Sequence, residues 1–136
     1  HYCKIHDQEI PDSIGEIART VYESISFNYR RAVLNLEDIL EKKIKILHII
    51  GGGSRDGLLN QFTANALNIP VMAGPAEATA VGNLLVQALS LGEIKNLDEL
   101  KMIIRNSFQI KEYLPNNVEE WNKNYKVFLE KTSLKS

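Results

Sequence analysis

A chain of 136 residues has room for one domain or a piece of one, and it can bury about 68% of its unfolded surface, enough for a real core. The apolar fraction of 44% and charged fraction of 24% are those of an ordinary globular protein; with a net charge of −1 and no basic block, nucleic acid is a poor partner. A lone cysteine, Cys3, excludes an internal disulfide framework and fits a reducing cytoplasm, no apolar run is long enough to span a bilayer, and no signal peptide is visible.

Residues 1–11 carry little pattern. A chain opening on His1 rather than methionine is expected to be a segment of something longer. His1 and His6 receive no role, and Cys3, with no catalytic partner pattern, reads as an incidental thiol. Ser13 followed by Glu16, with Asp12 ahead, is a capping-box pattern. From there Ile14, Ile17, Ala18, Val21, Ile25, Tyr29, Ala32, Val33, Leu36, Ile39 and Leu40 recur at helical spacing. They predict a helix over residues 13–42, roughly 45 Å long, with this stripe facing the core and Asn35 as the one place for a break.

Residues 44–50 lose their alternation after Lys45, and a nearly continuous β-branched run fits a strand covered on both faces. His48 inside that strand reads as a hydrogen-bonded core histidine, since no second ligand lies at metal-binding spacing. Gly51, Gly52 and Gly53 turn the chain into a second helix, opening near Ser54 or Arg55 and ending at Asn68. Residues 69–73 form a second strand with Pro70 at its entry, which completes a parallel βαβ unit. A third helix over 77–90 puts Val81, Leu84, Leu85, Ala88 and Leu89 inward and stops at Gly92. Glu77 reads as its helix-start residue, and Gly82, costly in mid-helix, as a site of close packing.

Asn96 with Glu99 opens a fourth helix over 97–106, and residues 107–115 read as irregular or extended. Asn117 caps a last helix over 118–131, with Trp121, Tyr125, Phe128 and Leu129 inward and Lys123, Lys126, Lys131 and Lys135 on a solvated face. Five helices and two strands leave an apolar strand edge uncovered. Further strands are therefore expected upstream of His1, and the fragment is expected to self-associate or to need that missing part.

The glycine corner carries the chemistry. A strand that runs through glycines into a helix start lets backbone N–H groups approach an anion with no Cβ between, and the helix adds unpaired donors and the positive end of its dipole. It is not a P-loop: Leu58 and Leu59 stand where lysine and Ser/Thr are needed. It is a poor dinucleotide fingerprint, with Asp56 in the third glycine's place and no acidic residue ending the second strand. The alternative reading is a tight turn that holds no ligand.

Two blocks weigh against an empty turn: Gly51-Gly52-Gly53-Ser54-Arg55-Asp56-Gly57-Leu58-Leu59-Asn60-Gln61, and Pro75-Ala76-Glu77-Ala78-Thr79-Ala80-Val81-Gly82-Asn83. With Ala64-Asn65 and Ile69-Pro70-Val71 between them, they resemble the C-terminal domain of the FGGY carbohydrate kinases, from about residue 11 to 115, and most of all the branch acting on L-rhamnulose. The resemblance implies an α/β, actin-like ATPase (ribonuclease H-like) fold, incomplete here, helix-rich around a parallel βαβ core. Residues 1–136 would be the C-terminal segment of such a kinase (core 12–115, last helix 117–131), with the N-terminal domain absent. It implies ATP and Mg²⁺ as cofactors, a small sugar as substrate, and transfer of the γ-phosphate to a ketose hydroxyl in the cytoplasm. Gly51, Gly52 and Gly53 would lie against the nucleotide phosphates and Asp56 would face the adenine. The family's usual residue at this last position is asparagine; an ionised aspartate can only accept hydrogen bonds. The family's catalytic base precedes everything in this chain, and neither Asp7 nor Asp12 matches its surroundings, so no catalytic residue is assigned and the fragment alone is expected to be inactive. Two other readings stand beside this one: a non-enzymatic actin-like nucleotide-binding module, and an interaction domain with an empty glycine turn.

Overall fold

The computed structural model describes residues 2–5 and 8–133; His1, His6, Asp7 and Lys135 lie outside the described residues. The lead-in contains one helical turn, α1 (Tyr2–Ile5), where no element was expected. The long helix α2 (Ile14–Leu40) starts as its capping box dictates and runs through Asn35 without a break. Ser13 Oγ accepts the Glu16 N–H at 3.2 Å, and the Glu16 carboxylate reaches back to the Asp12 N–H at 2.6 Å. Its end is fixed by Glu41 in the left-handed region (φ 49°) and by Glu37. The buried Glu37 carboxylate accepts from Lys43 Nζ and from the Ile44 N–H, both at 2.7 Å, and so aims the chain toward the first strand.

Of the apolar stripe of α2, Val33 alone is buried, and most of the face that packs lies elsewhere on the helix. Ile14 is 86% exposed and Ile39 77%, while Ser26, Phe27, Val33 and Glu37 are buried. The buried face sits about a third of a turn around the helix from the stripe. The physical reason is which neighbour is present: α2 packs against α3 (Gly57–Leu67) and α6 (Val118–Ser133), and these take Phe27 and the small Ser26.

Three short strands form one sheet in the order β1-β2-β3: Leu47–Ile49, Val71–Ala73 and Lys111–Tyr113. β1 and β2 are parallel, as the βαβ reading requires, with Leu47 opposite Val71. β3 runs antiparallel to β2, pairing Tyr113 with Val71, and corrects the expectation of only two strands. Residues 107–115 hid it because two of its three residues are charged and exposed; Tyr113 alone is buried. β1 is shorter than the expected 44–50 and is not covered on both faces. Leu47 and Ile49 are half-buried, but His48 is exposed, so it is not a core histidine.

α3 is the central element. On one side Ala64 joins Val71, Ala73 and Tyr113; on the other Ala66 joins Phe27, Trp121 and Tyr125. The rings of Trp121, Tyr125 and Phe128 lie 5.4–5.6 Å from that of Phe27, so the helical spacing of the last helix does report its core face. Lys123, Lys126 and Lys131 are exposed, as expected. Polar residues buried on α3 are bonded into the fold: Asn65 Oδ1 accepts from Gln61 Nε2 and the Asn116 N–H, each at 2.9 Å. α4 (Ala78–Ser90) buries only Leu85; Leu84, placed inward on the sequence, is 66% exposed. A Cβ on Gly82 would meet nothing within 4 Å, so no close packing explains that glycine. α5 (Leu97–Ser107) is capped by Asn96, whose Oδ1 accepts from the Asp98 and Glu99 N–H groups. The Asn117 carbonyl accepts the Trp121 N–H at 3.2 Å where α6 begins.

Candidate functional site

The corner after β1 is open. Gly51 adopts φ 74°, a left-handed conformation that favours glycine, and its N–H donates to the Pro75 carbonyl at 3.0 Å. That bond, with Gly74 N–H to Ile49 O at 2.8 Å, ties the corner to the loop that leads into α4. Residues Gly51–Arg55 form a short 3₁₀ helix, locked by Ser54 Oγ donating to the Gly51 carbonyl at 2.7 Å. Gly52 and Gly53 are exposed. A Cβ on Gly52 would meet nothing within 4 Å, and one on Gly53 only Ile49 Cγ2 at 3.5 Å. An anion from solvent therefore has free approach to the first turn of this helix, where N–H groups have no intrahelical acceptor.

The second helix does not open at Ser54 or Arg55. It opens at Gly57, because Asp56 is extended (φ −86°, ψ 92°) and acts as its N-cap. Asp56 Oδ1 accepts the Leu59 N–H at 3.1 Å, and Oδ2 accepts the Tyr22 hydroxyl at 2.7 Å. The Tyr22 bond, then the Leu59 bond, hold the Asp56 carboxyl below its usual range; in return Tyr22 is pushed up. Asparagine, the residue the resemblance leads one to expect there, could keep the capping bond from Leu59 through its one oxygen, but its amide nitrogen could not accept the Tyr22 hydroxyl as Oδ2 does. Across the corner Arg55 Nη2 meets Glu77 Oε1 at 2.7 Å in an exposed ion pair. Glu77 stands at the head of α4, as read, but makes no capping bond there.

Gly51, Gly52, Gly53 and Asp56 are thus one contiguous surface, joined to the second sequence block through Pro75 and Glu77. Tyr22 belongs to the site's support and was missed. It lies 34 residues from Asp56 in sequence, so no local pattern signals the contact. Among the described residues, no group of three or more His, Cys, Asp or Glu side chains could hold a metal ion. No helix is long and apolar enough to cross a membrane, again among the described residues.

The chain matches the FGGY family of carbohydrate kinases, C-terminal domain, over residues 2–91. It is 44% identical to a rhamnulokinase of Bacteroides thetaiotaomicron over 124 residues, covering 91% of this chain and 26% of that protein. Against a rhamnulokinase of Enterococcus faecalis it is 40% identical over 136 residues, covering 98% of this chain and 28% of the relative. A xylulose kinase from Rhodospirillum rubrum superimposes with a TM-score of 0.70 at 21% identity, covering 93% of this chain and 26% of that one. The likeness to that structure is one of fold. The chain spans about a quarter of the length of the curated relatives it matches.

Proposed function

This chain belongs to the FGGY family of carbohydrate kinases, and on that premise we propose that it is the nucleotide-side portion of an ATP-dependent sugar kinase. The complete enzyme would transfer the γ-phosphate of ATP to a ketose hydroxyl in the cytoplasm. L-rhamnulose is the favoured sugar, because the 40–44% identical relatives are rhamnulokinases. One observation carries the reading: the exposed Gly52, with open space where a Cβ would stand, at the first turn of the 3₁₀ helix that follows β1.

Backbone amides of Gly52 and Gly53 would hold nucleotide phosphate, and the helix start favours negative charge there. Arg55 could leave its exposed pair with Glu77 for a phosphate oxygen, since such surface pairs contribute little. Asp56, its carboxylate occupied by Tyr22 and the Leu59 N–H, would line the base side as an acceptor. The residues fit the phosphates better than they fit a metal. Mg²⁺, which neutralises the transferring phosphoryl group in such reactions, would be carried by the nucleotide itself. The proton acceptor for the sugar hydroxyl and the sugar-reading residues would come from the part of the enzyme outside this chain, so this chain alone would be inactive.

Calorimetric titration with MgADP tests the reading. Binding in the millimolar range or tighter is expected, and Gly52→Val should abolish it. Gly52 is not in a left-handed conformation and its surroundings are open, so valine leaves the fold intact and blocks only the approach. No heat at millimolar MgADP, or equal binding by the variant, would contradict it. A non-enzymatic actin-like module would bind nucleotide in the same way; phosphorylation of L-rhamnulose by the complete protein separates the two.

A further inference from the structure

The two loops that meet at the glycine corner are joined twice. Their main chains meet where the Gly51 N–H donates to the Pro75 carbonyl at 3.0 Å, and their side chains where Arg55 Nη2 donates to Glu77 Oε1 at 2.7 Å. Both ends of that ion pair stand in solvent, with side chains 68% and 69% exposed. Glu77 occupies the N-cap position of α4, where a side chain normally turns back to the N–H groups two or three places on. It makes no such bond and reaches instead to a partner 22 residues away in sequence. The charges of the corner are also unbalanced. Over residues 51–57 and 74–78 Arg55 is the one cation, against the carboxylates of Asp56 and Glu77. Asp56 is fixed by Tyr22 and by the Leu59 N–H, whereas the Glu77 carboxylate is bound to a long, exposed side chain.

We infer that Glu77 is an internal competitor for phosphate: in the empty corner its carboxylate holds Arg55, and an anion gains the guanidinium only by displacing it. The inference rests on the reading of this corner as a phosphate site. Exchanging the carboxylate for a phosphate oxygen replaces one charge-assisted pair by another, so the exchange by itself is close to even. The displaced carboxylate then faces the phosphate with like charge, which opposes binding further. A single phosphate ion that meets Arg55 alone therefore gains little. A nucleotide phosphate chain that also reaches the open amides of Gly52 and Gly53 gains what the small ion does not. Glu77 thus favours phosphate chains over single ions, and it reclaims Arg55 when a nucleotide leaves.

Calorimetric titration of the wild type, Glu77→Gln, Arg55→Gln and the double variant with MgADP at low salt tests this. Glu77→Gln should bind about two- to fivefold more tightly than wild type, the span of an exposed ion pair. Arg55→Gln should bind more weakly, and adding Glu77→Gln to it should give a smaller gain than in the wild type, because there is no guanidinium left to compete for. In about 1 M NaCl, where screening acts within about 3 Å, the gain should fall toward unity. Inorganic phosphate at millimolar concentration should weaken MgADP binding more in Glu77→Gln than in the wild type. Both side chains are exposed and neither caps a helix, so the urea midpoints of the four proteins should agree, which separates these effects from one on folding. Wild-type binding that Glu77→Gln leaves unchanged or weakens, or an equal gain in the absence of Arg55, would overturn the inference and leave the phosphate reading standing. No heat from any of the four proteins would overturn both.

Discussion

Replacing Phe27 by alanine, beside Ile39 by alanine, separates the face of α2 that packs from the face that hydropathy favours. Phe27 is 4% exposed and touches the rings of Trp121, Tyr125 and Phe128 at 5.4–5.6 Å. A buried Phe→Ala change costs about 3–5 kcal/mol, made of lost transfer energy and the cavity left behind. The α2–α6 contact rests on few residues, so the upper half of that range is expected. Ile39 is 77% exposed, and its truncation should change stability by less than about 0.5 kcal/mol, with alanine's better helix propensity acting in its favour. In a thermal melt followed by circular dichroism and Trp121 fluorescence, Phe27→Ala should lower Tm by on the order of 10 °C and Ile39→Ala by almost nothing. Equal losses, or a larger loss for Ile39, would mean that α2 is turned about its axis and that the stripe lies in the core.

Asp56→Ala removes the N-cap of α3 and should cost about 1 kcal/mol in urea unfolding, whereas Asp56→Asn, which keeps a capping oxygen and loses only the acceptor for Tyr22, should cost less. Glu37 has its carboxyl held low, by Lys43 first and then by the Ile44 N–H. A depressed carboxyl contributes stability that is complete above its unfolded pKa and is lost as pH falls through the folded value. The urea midpoint should therefore drop on acidification below the ordinary glutamate range, and Glu37→Gln should flatten that drop. Gly74→Ala should destabilise by about 1–3 kcal/mol, because Gly74 has φ 123° and a Cβ would lie 3.0 Å from the Gln109 carbonyl oxygen. Gly82→Ala, in mid-helix with open space around it, should instead stabilise by about 0.5–1 kcal/mol, measured in the same unfolding series.

Much of this fold was legible because local rules act locally. The caps at Ser13 and Asn96, the stop at Asn68 and the aromatic face of α6 each follow from a few neighbouring side chains. The parallel pairing of β1 with β2 followed from chain direction through α3. What failed depends on partners. The stripe on α2 is a correct report of hydrophobicity, but α3 and α6 pack on another face of the helix, which buries Phe27 and leaves Ile14 and Ile39 exposed. His48 was read as buried from the same cause, since β1 is an edge. β3 escaped because a strand that buries one residue in three has no hydropathy signature. At the site, the glycine corner was visible from composition alone. The role of Asp56 as a cap and its bond to Tyr22 were not, because a contact across 34 residues is set by the packing of α2 on α3.

On the proposed reading, bare amides at the corner after β1 would hold the phosphates of ATP. Amide resonances of ¹⁵N-labelled protein, recorded while MgADP is added, test it residue by residue. Saturable shifts are expected at Gly52 and Gly53, smaller ones at Asp56 and Glu77, and none along α6. Shifts that leave the glycine corner untouched, or no shifts at millimolar MgADP, would contradict it.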